Sequence, residues 1–354
     1  MTTSFDEHRL KRDRVEGLLT ERGADSLTLT SPGALSWLLA GARVQVSLVG
    51  DPVVAAVLRR GGDDEIRVFG NERARIEAEE LPHGLTVTSP RWDQPLLAEP
   101  TRASPAALRE ADVAFELQDL RASLLDVEID RYRLLCQEVT AMLGAALESA
   151  RPDHTERSLA ARLAGGIVAL GADPLVVLVA GRERLGFPHP LPTESPLGDL
   201  AMAVVCARRG GLIANVTRWI RFRPATNEEG DAQARLLAVE ADFFAATKPG
   251  ALLSDVFAAS TAAYAAHGLA PDTWERHHQG GPTGYNGRDP RATATTSNIV
   301  RADQAFAWNP NAPGVKLEDT VIVRADGAVD VLSVDPGWPS AEVHGLTRPA
   351  IREQ

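Results

Sequence analysis

The sequence has few of the features that stabilise secreted proteins or anchor proteins in membranes. Its 354 residues include only two cysteines, Cys136 and Cys206, too few for a disulfide framework and suited to a reducing compartment. No uncharged stretch approaches the ~20 apolar residues that cross a bilayer. The first residues, MTTSFDEHRLKRDR, lack the apolar core of a secretory signal. These absences predict a cytoplasmic protein that does not enter membranes.

Basic charge is also scarce. Lys and Arg number 37 against 48 Asp and Glu, which gives a formal net charge of −11 and a pI of about 5.3. Nucleic-acid-binding proteins present a basic face, and anionic membranes attract basic segments. We therefore expect no nucleic-acid partner and no membrane partner.

The chain is long enough for two domains of ordinary size. Short helical and strand patterns alternate up to about residue 125, where the composition changes. Residues 126–150 then carry apolar side chains at helical spacing for more than twenty positions, and strands and Ala-rich helices follow. This pattern predicts an α/β protein with domains at 1–125 and 126–354.

Several common catalytic motifs are missing from the sequence. It contains no Gly-x-x-x-x-Gly-Lys, no Gly-x-Gly-x-x-Gly after a strand and no Gly-x-Ser-x-Gly. These patterns mark phosphate-binding loops, dinucleotide sites and the nucleophile turn of serine hydrolases. The chemistry must therefore be sought in other segments.

Five segments of the second half, in this order, carry a resemblance to a known family: RPDHTERSLAARL (151–163), GFPHPLPTESPLGDL (186–200), LIANVTRWI (212–220), HHQGGPTGY (277–285) and AFAWNPNAPGVKLEDTVIV (305–323). Together they resemble the creatinase/aminopeptidase P/prolidase family. The resemblance implies a C-terminal domain with the "pita-bread" fold, a smaller N-terminal α/β domain, and a homodimer in which one subunit's N-terminal domain reaches toward the other's site.

Peptidases of this family hold two divalent metals with two Asp, one His and two Glu. The resemblance places these five ligands, one position at a time, on Val204, Asn215, His278, Asn309 and Glu318. Only His278 and Glu318 keep a ligand of the family's type, and one carboxylate offsets little of the charge of two dications. We therefore expect no metal and no other cofactor. A single metal held by His278, Glu318 and either His277 or His189 is the alternative.

Losing the metals does not require losing the chemistry. Creatinase has this fold, lacks the metals, and hydrolyses a C–N bond with a histidine base that lies in a segment similar to Phe187–Pro190. The resemblance therefore implies that His189 is the general base, since an imidazole titrates near neutral pH. The alternative is a loop histidine that only caps a backbone carbonyl.

The resemblance implies further site residues around His189. The predicted catalytic residues are His189, His278, Glu318 and Tyr285, with Tyr285 as a hydrogen-bond donor to an oxyanion. The predicted substrate-binding residues are Asn215, Asn309, Trp308, Arg218 and Arg288. Core packing for Tyr285 and Trp308, and ion pairs for Glu318 and Arg288, are the alternatives.

The sequence thus predicts a metal-independent, creatinase-like hydrolase or lyase. It would act on a small polar molecule by C–N hydrolysis or a related acid/base reaction with His189 as the base. Two alternatives remain open. One is an Xaa-Pro-type metallopeptidase with an atypical metal site, and the other is a non-catalytic binding module with the pita-bread fold.

Overall fold

The computed structural model describes residues 3–97 and 106–354 and divides into two compact units. Unit 1 comprises Met1–Arg121 with Gly210–Leu212, and unit 2 comprises Ala122–Arg209 with Ile213–Gln354. All of the predicted site residues lie in unit 2.

Unit 1 contains short helices and one five-stranded sheet. Its helices are α1 (Ser4–Arg22), α2 (Pro32–Leu38), α3 (Arg73–Glu79) and α4 (Ala114–Leu120). Its strands are β1 (Ser26–Leu29), β2 (Val54–Arg59), β3 (Glu65–Val68), β4 (Val87–Thr88) and β5 (Ala107–Arg109), ordered β4-β3-β2-β1-β5.

Helix α1 shows how local sequence sets both of its ends. The Thr3 side chain accepts a hydrogen bond from the Asp6 backbone N–H, and the Asp6 carboxylate accepts one from the Thr3 backbone N–H. Gly23 then ends the helix with φ 61°, a left-handed conformation that favours glycine.

Unit 2 contains the longer helices. These are α5 (Asp126–Glu148), α6 (Glu156–Ala169), α7 (Asn227–Ala246) and α8 (Leu253–Ala266). Thr155 caps α6 by accepting from the Ser158 backbone N–H, and Thr226 caps α7 in the same way from Glu229.

The strands of unit 2 form two four-stranded sheets and two hairpins. The strands are β6 (Asp173–Ala180), β7 (Leu200–Arg209), β8 (Leu212–Arg221), β9 (Gly280–Pro282), β10 (Gln304–Trp308), β11 (Asn311–Ala312), β12 (Val315–Lys316), β13 (Val321–Val323), β14 (Val329–Val331), β15 (Ser340–Val343), β16 (Leu346–Pro349) and β17 (Arg352–Glu353). The sheets are ordered β17-β8-β7-β6 and β14-β13-β10-β9, and the hairpins are β11-β12 and β15-β16.

The two sheets of unit 2 are joined by hydrogen bonds along β8. The Thr217 backbone N–H donates to the Glu318 carbonyl at 2.9 Å, and the Asn215 backbone N–H donates to the Thr320 hydroxyl at 2.8 Å. All ten residues of β8 are buried, as a strand covered on both faces requires. The polar residues of β8 therefore lie inside unit 2.

The apolar core of unit 2 lies where α7 and α8 pack on the sheet that contains β10. Phe243, Tyr264 and Phe306 are fully buried there, and Trp308 packs edge-on against Phe243 with ring centroids 5.5 Å apart.

Across residues 3–97 and 106–354, no helix combines the length and the hydropathy that a bilayer crossing requires.

Candidate active site

Three histidines from two segments converge in unit 2. His189 lies on the loop between β6 and β7, and His277 and His278 lie just before β9. The Nε2 atoms of His189 and His277 are 3.1 Å apart, and the rings of His277 and His278 stack with centroids 4.3 Å apart. One nitrogen of each ring lies within 4.8 Å of the others. The structure thus brings the predicted base His189 next to His278.

The loop that carries His189 is fastened by a buried carboxylate. Glu156, in the first turn of α6, accepts hydrogen bonds from the backbone N–H groups of Gly181 and Thr193, each at 2.9 Å, and from the Thr193 hydroxyl at 2.8 Å. It also contacts Arg184. These contacts hold the loop on both sides of His189, so Glu156 positions the proposed base.

The histidines are neutral at physiological pH. Burial lowers the pKa of His277 and of His278 to about 3, helped by the positive charge of Lys316 for the first and of Arg288 for the second. Burial and the Lys316 charge also lower the pKa of His189. Neutral imidazoles each offer one N–H donor and one acceptor lone pair, which suits proton transfer.

Glu318 is the buried carboxylate beside these histidines, and protein cations surround it. Arg288 donates a hydrogen bond to its Oε1 at 2.6 Å, the Lys316 Nζ lies 3.9 Å from Oε2, and the Thr217 hydroxyl donates to Oε2 at 3.3 Å. Burial alone would raise the pKa of Glu318, but the charges of Lys316 and Arg288 outweigh it and lower the pKa. Glu318 is therefore an anion whose two oxygens both have protein partners.

Asn215 shares Arg288 with Glu318. Its Oδ1 accepts hydrogen bonds from the Arg288 guanidinium at 3.3 Å and from the Cys206 thiol at 3.2 Å. Its Nδ2 donates to the Ile213 carbonyl at 3.0 Å and to the Thr283 hydroxyl at 3.1 Å. Burial raises the pKa of Cys206 to about 12, so the thiol stays protonated and acts as a donor. Both the oxygen and the nitrogen of the Asn215 amide therefore already have hydrogen-bond partners in the protein.

Asn309 differs from Asn215 because its carbonyl oxygen is buried without a partner. Among the described residues, none donates a hydrogen bond to the Asn309 Oδ1. A buried acceptor of this kind is costly unless a ligand or water pairs with it. Asn309 therefore fits the predicted substrate-binding role.

The five positions that the resemblance equates with metal ligands hold one carboxylate in total. They are Val204, Asn215, His278, Asn309 and Glu318. Val204 has no donor atom and packs against Met202 and Trp219. The other four offer one imidazole, two neutral amides and the Glu318 carboxylate already bound by two cations.

Three other predicted residues have partners elsewhere in unit 2. Tyr285 donates to Glu128 on α5 at 2.5 Å and also contacts Arg131. Arg218 donates to the Asp319 carboxylate at 2.9 Å and to the Ser333 carbonyl at 2.7 Å. Trp308 packs in the core, and its indole N–H donates to Thr247 at 3.1 Å. The predicted catalytic role of Tyr285 and the binding roles of Arg218 and Trp308 stay predictions.

Lys316 was not among the predicted site residues, and His277 was predicted only as a possible ligand of a single metal. Lys316 lies two residues before Glu318, and residues two apart in an extended chain face the same side. That spacing was the signal that could have placed Lys316 in the site. The contact between the Nε2 atoms of His277 and His189 depends on the fold.

Comparison with known proteins agrees with this architecture. Residues 130–325, more than half of the chain, match the description "Metallopeptidase family M24". The chain belongs to this family. The predicted resemblance is confirmed at this level, since prolidases and dipeptidases are among the M24-like structures that this chain matches.

Individual M24 proteins resemble this chain to different extents. A Mycobacterium tuberculosis protein named "Probable dipeptidase PepE" is 27% identical over 225 residues; the match covers 61% of this chain, which spans 60% of that relative's length. The Xaa-Pro dipeptidase of Bacillus anthracis has a TM-score of 0.74 at 14% identity over 98% of this chain and 100% of that chain. The structure of dipeptidase PepE from Mycobacterium ulcerans has a TM-score of 0.72 at 19% identity, and the match covers 95% of this chain and 98% of that chain. At these identities the structures establish the fold, and the predicted α/β, pita-bread fold class is confirmed.

Proposed function

We propose that this M24 protein is a hydrolase that cleaves a C–N bond of a small polar molecule without a dinuclear metal centre, with His189 as the general base. One observation carries the proposal. Two protein cations, the partly buried Arg288 and the buried Lys316, contact Glu318, which is the single carboxylate among the five positions equated with metal ligands.

Electrostatics argue that these residues do not fit two divalent ions. Two unit charges 4 Å apart interact by about 4 kcal/mol at the effective dielectric of protein sites, so Arg288 and Lys316 would oppose the attraction of an ion to Glu318. Glu318 already offsets the Arg288 charge. The guanidinium and the ammonium supply positive charge that metal ions supply in other M24 proteins.

The arrangement supports acid/base hydrolysis through the chain's own residues. Neutral His189 takes a proton from water, the water oxygen bonds to the substrate carbonyl carbon, and the carbonyl oxygen becomes an oxyanion. The Arg288 guanidinium and the N–H of His278 are a cationic and a neutral donor suited to that oxyanion. His189 then returns the proton to the leaving nitrogen as the C–N bond breaks.

A second candidate is an Xaa-Pro-type metallopeptidase with an altered metal site. Family membership and the likeness to PepE favour it. A single ion could be held by His189, His277 and His278, whose ring nitrogens lie within 4.8 Å of one another, whereas a second ion at Glu318 requires that Arg288 and Lys316 move away. The two candidates differ in metal content, which makes metal the deciding measurement.

The test is elemental analysis by mass spectrometry of protein purified without chelator, together with hydrolysis assays of small amides, ureas and Xaa-Pro dipeptides. We expect far less than one divalent ion per chain and an activity that EDTA does not reduce. Two tightly bound ions per chain, or activity that appears only with added zinc, manganese or cobalt, would contradict the proposal.

The homodimer implied by the resemblance stays part of the proposal. Light scattering of the purified chain tests it, with an expected mass of twice 37.9 kDa.

A further inference from the structure

A pocket of about 210 Å³ lies in unit 2 beside the histidine loop. Pro188, the residue before His189, is part of its wall. Part of the lining is apolar, with Phe187, Met202 and Trp219 as the larger side chains, and part is polar, with Lys316, Arg276 and Asn311. The pocket therefore combines an apolar body with a polar end close to the proposed base.

Lys316 is the decisive residue of this pocket. Its side chain is only 7% exposed, and its Nζ is 3.9 Å from the Glu318 carboxylate, too far for a hydrogen bond. No residue in 3–97 or 106–354 accepts a hydrogen bond from this ammonium. Glu318 makes its short contact with Arg288 instead. Lys316 is one of the residues that line the pocket, and its ammonium has only this long ion pair with Glu318, so an anionic acceptor in the pocket would give it a hydrogen bond.

The remaining charges around the pocket have the same sign. Arg276 lies on its exposed side, and within the described part of the chain no acidic side chain lines it. The Glu318 charge is divided between two cations, so Arg288, Lys316 and Arg276 leave an excess of positive charge here. A pocket with apolar side chains on one part of its wall and this excess of positive charge on another selects a molecule that is apolar at one end and anionic at the other.

We propose that this pocket binds a small carboxylate with an apolar body, with its carboxylate on Lys316 and its apolar part against Phe187, Met202 and Trp219. Arg276 contributes long-range attraction at the exposed side. That this ligand is the substrate rests on the proposed function, whereas its binding does not.

The experiment compares three probes that differ in charge and contain no hydrolysable C–N bond: 3-phenylpropionate, 3-phenylpropan-1-ol and 3-phenylpropylamine. Affinities are measured at pH 7 by calorimetry or ligand-observed NMR on the protein as purified. We expect the carboxylate to bind at least tenfold more tightly than the alcohol, and the amine to bind most weakly. Equal binding of the carboxylate and the alcohol would overturn the proposal with no variant required.

Substitutions of two residues that line the pocket test whether the carboxylate binds there. Lys316→Met keeps the length of the side chain but removes the charge, and should erase the preference for the carboxylate. Arg276→Gln, at an exposed position, should reduce the preference several-fold without disturbing the fold. Arg235→Gln is the matched control, because Arg235 is an exposed arginine on α7 that bonds the Gly268 carbonyl.

Each outcome of these experiments supports or contradicts the proposed carboxylate pocket. A carboxylate preference that persists in folded Lys316→Met overturns the assignment. If a melting curve shows that this variant does not fold, an unchanged preference in Arg276→Gln overturns it. Tightly bound metal in the purified protein would contradict the proposed function and leave the carboxylate pocket standing, because the binding assay uses no catalytic readout.

Discussion

The Arg288 guanidinium donates a 2.6 Å hydrogen bond to the Glu318 carboxylate inside unit 2, where Glu318 is almost completely buried. Lys316 adds a second positive charge 3.9 Å from the other carboxylate oxygen. This cluster lies among the positions that the resemblance equates with metal ligands. The chain thus neutralises its own buried carboxylate, and the behaviour of Glu318 variants follows from that.

Glu318→Gln should destabilise the protein strongly. The substitution leaves the buried Lys316 and the partly buried Arg288 without the anion that offsets them, and breaking a buried pair in this way costs about 3–5 kcal/mol. The free energy of unfolding from urea denaturation measures the loss. Glu194→Gln is the control, since Glu194 forms an exposed pair with Arg157 and should cost less than ~1 kcal/mol. Equal effects of the two substitutions would contradict the described pairing.

His189→Gln should lower kcat by about 10²–10⁴-fold once a substrate is identified, because general acid/base catalysis contributes that much. The amide keeps hydrogen bonding but cannot take up a proton at neutral pH. His83→Gln, at an exposed position in unit 1, is the control and should keep full activity. An unchanged kcat in the His189→Gln variant would contradict the assignment of His189 as the general base.

The pH dependence of kcat/KM should reflect the low pKa of His189. Burial and the Lys316 charge hold this pKa below its ordinary value of 6.5. A general base works in its neutral form, so activity is present above the pKa and lost as pH falls through it. We expect the acid limb of the profile to have its midpoint below pH 6.5. In Lys316→Met the midpoint should move to higher pH, because a nearby positive charge is gone; a shift to lower pH would contradict the described contact.

Glu156→Gln should reduce activity without touching the reacting groups. An amide cannot accept all of the hydrogen bonds that the carboxylate takes from Gly181 and Thr193, so the His189 loop loses its fixed geometry. Misplacing a catalytic group by about 1 Å costs up to roughly 10²-fold in rate. We expect a kcat reduction of about ten- to hundredfold and faster hydrogen–deuterium exchange at the Gly181 and Thr193 amides. Lower activity with unchanged exchange would argue against a positioning role.

Parts of the fold were predictable from local sequence. Thr155 followed by Glu156 is typical of a helix start such as that of α6, and Gly23 is typical of a helix end such as that of α1, because capping depends on residues close together in the chain. The order of five motif segments predicted the M24 fold, which the comparisons confirm.

The partners of the site residues were not predictable in this way. His189 and His277 are 88 positions apart and meet at 3.1 Å, and Arg288 and Glu318 are 30 apart and meet at 2.6 Å. Ion pairs of Glu318 with Lys316 or Arg218 were considered from the sequence. In the structure, Glu318 makes its closest contact with Arg288. Arg288 lies in the segment between β9 and β10, and this segment brings it against Asn215 of β8.

The sequence by itself determined the fold family and the shortage of carboxylates at the five positions, since these depend on motif order and local spacing. Only the tertiary structure decided which cations lie against Glu318 and that the Lys316 ammonium is left without a hydrogen-bond acceptor among the described residues. The physical reason is that burial and pairing of charges depend on contacts between segments distant along the chain, which no local pattern specifies.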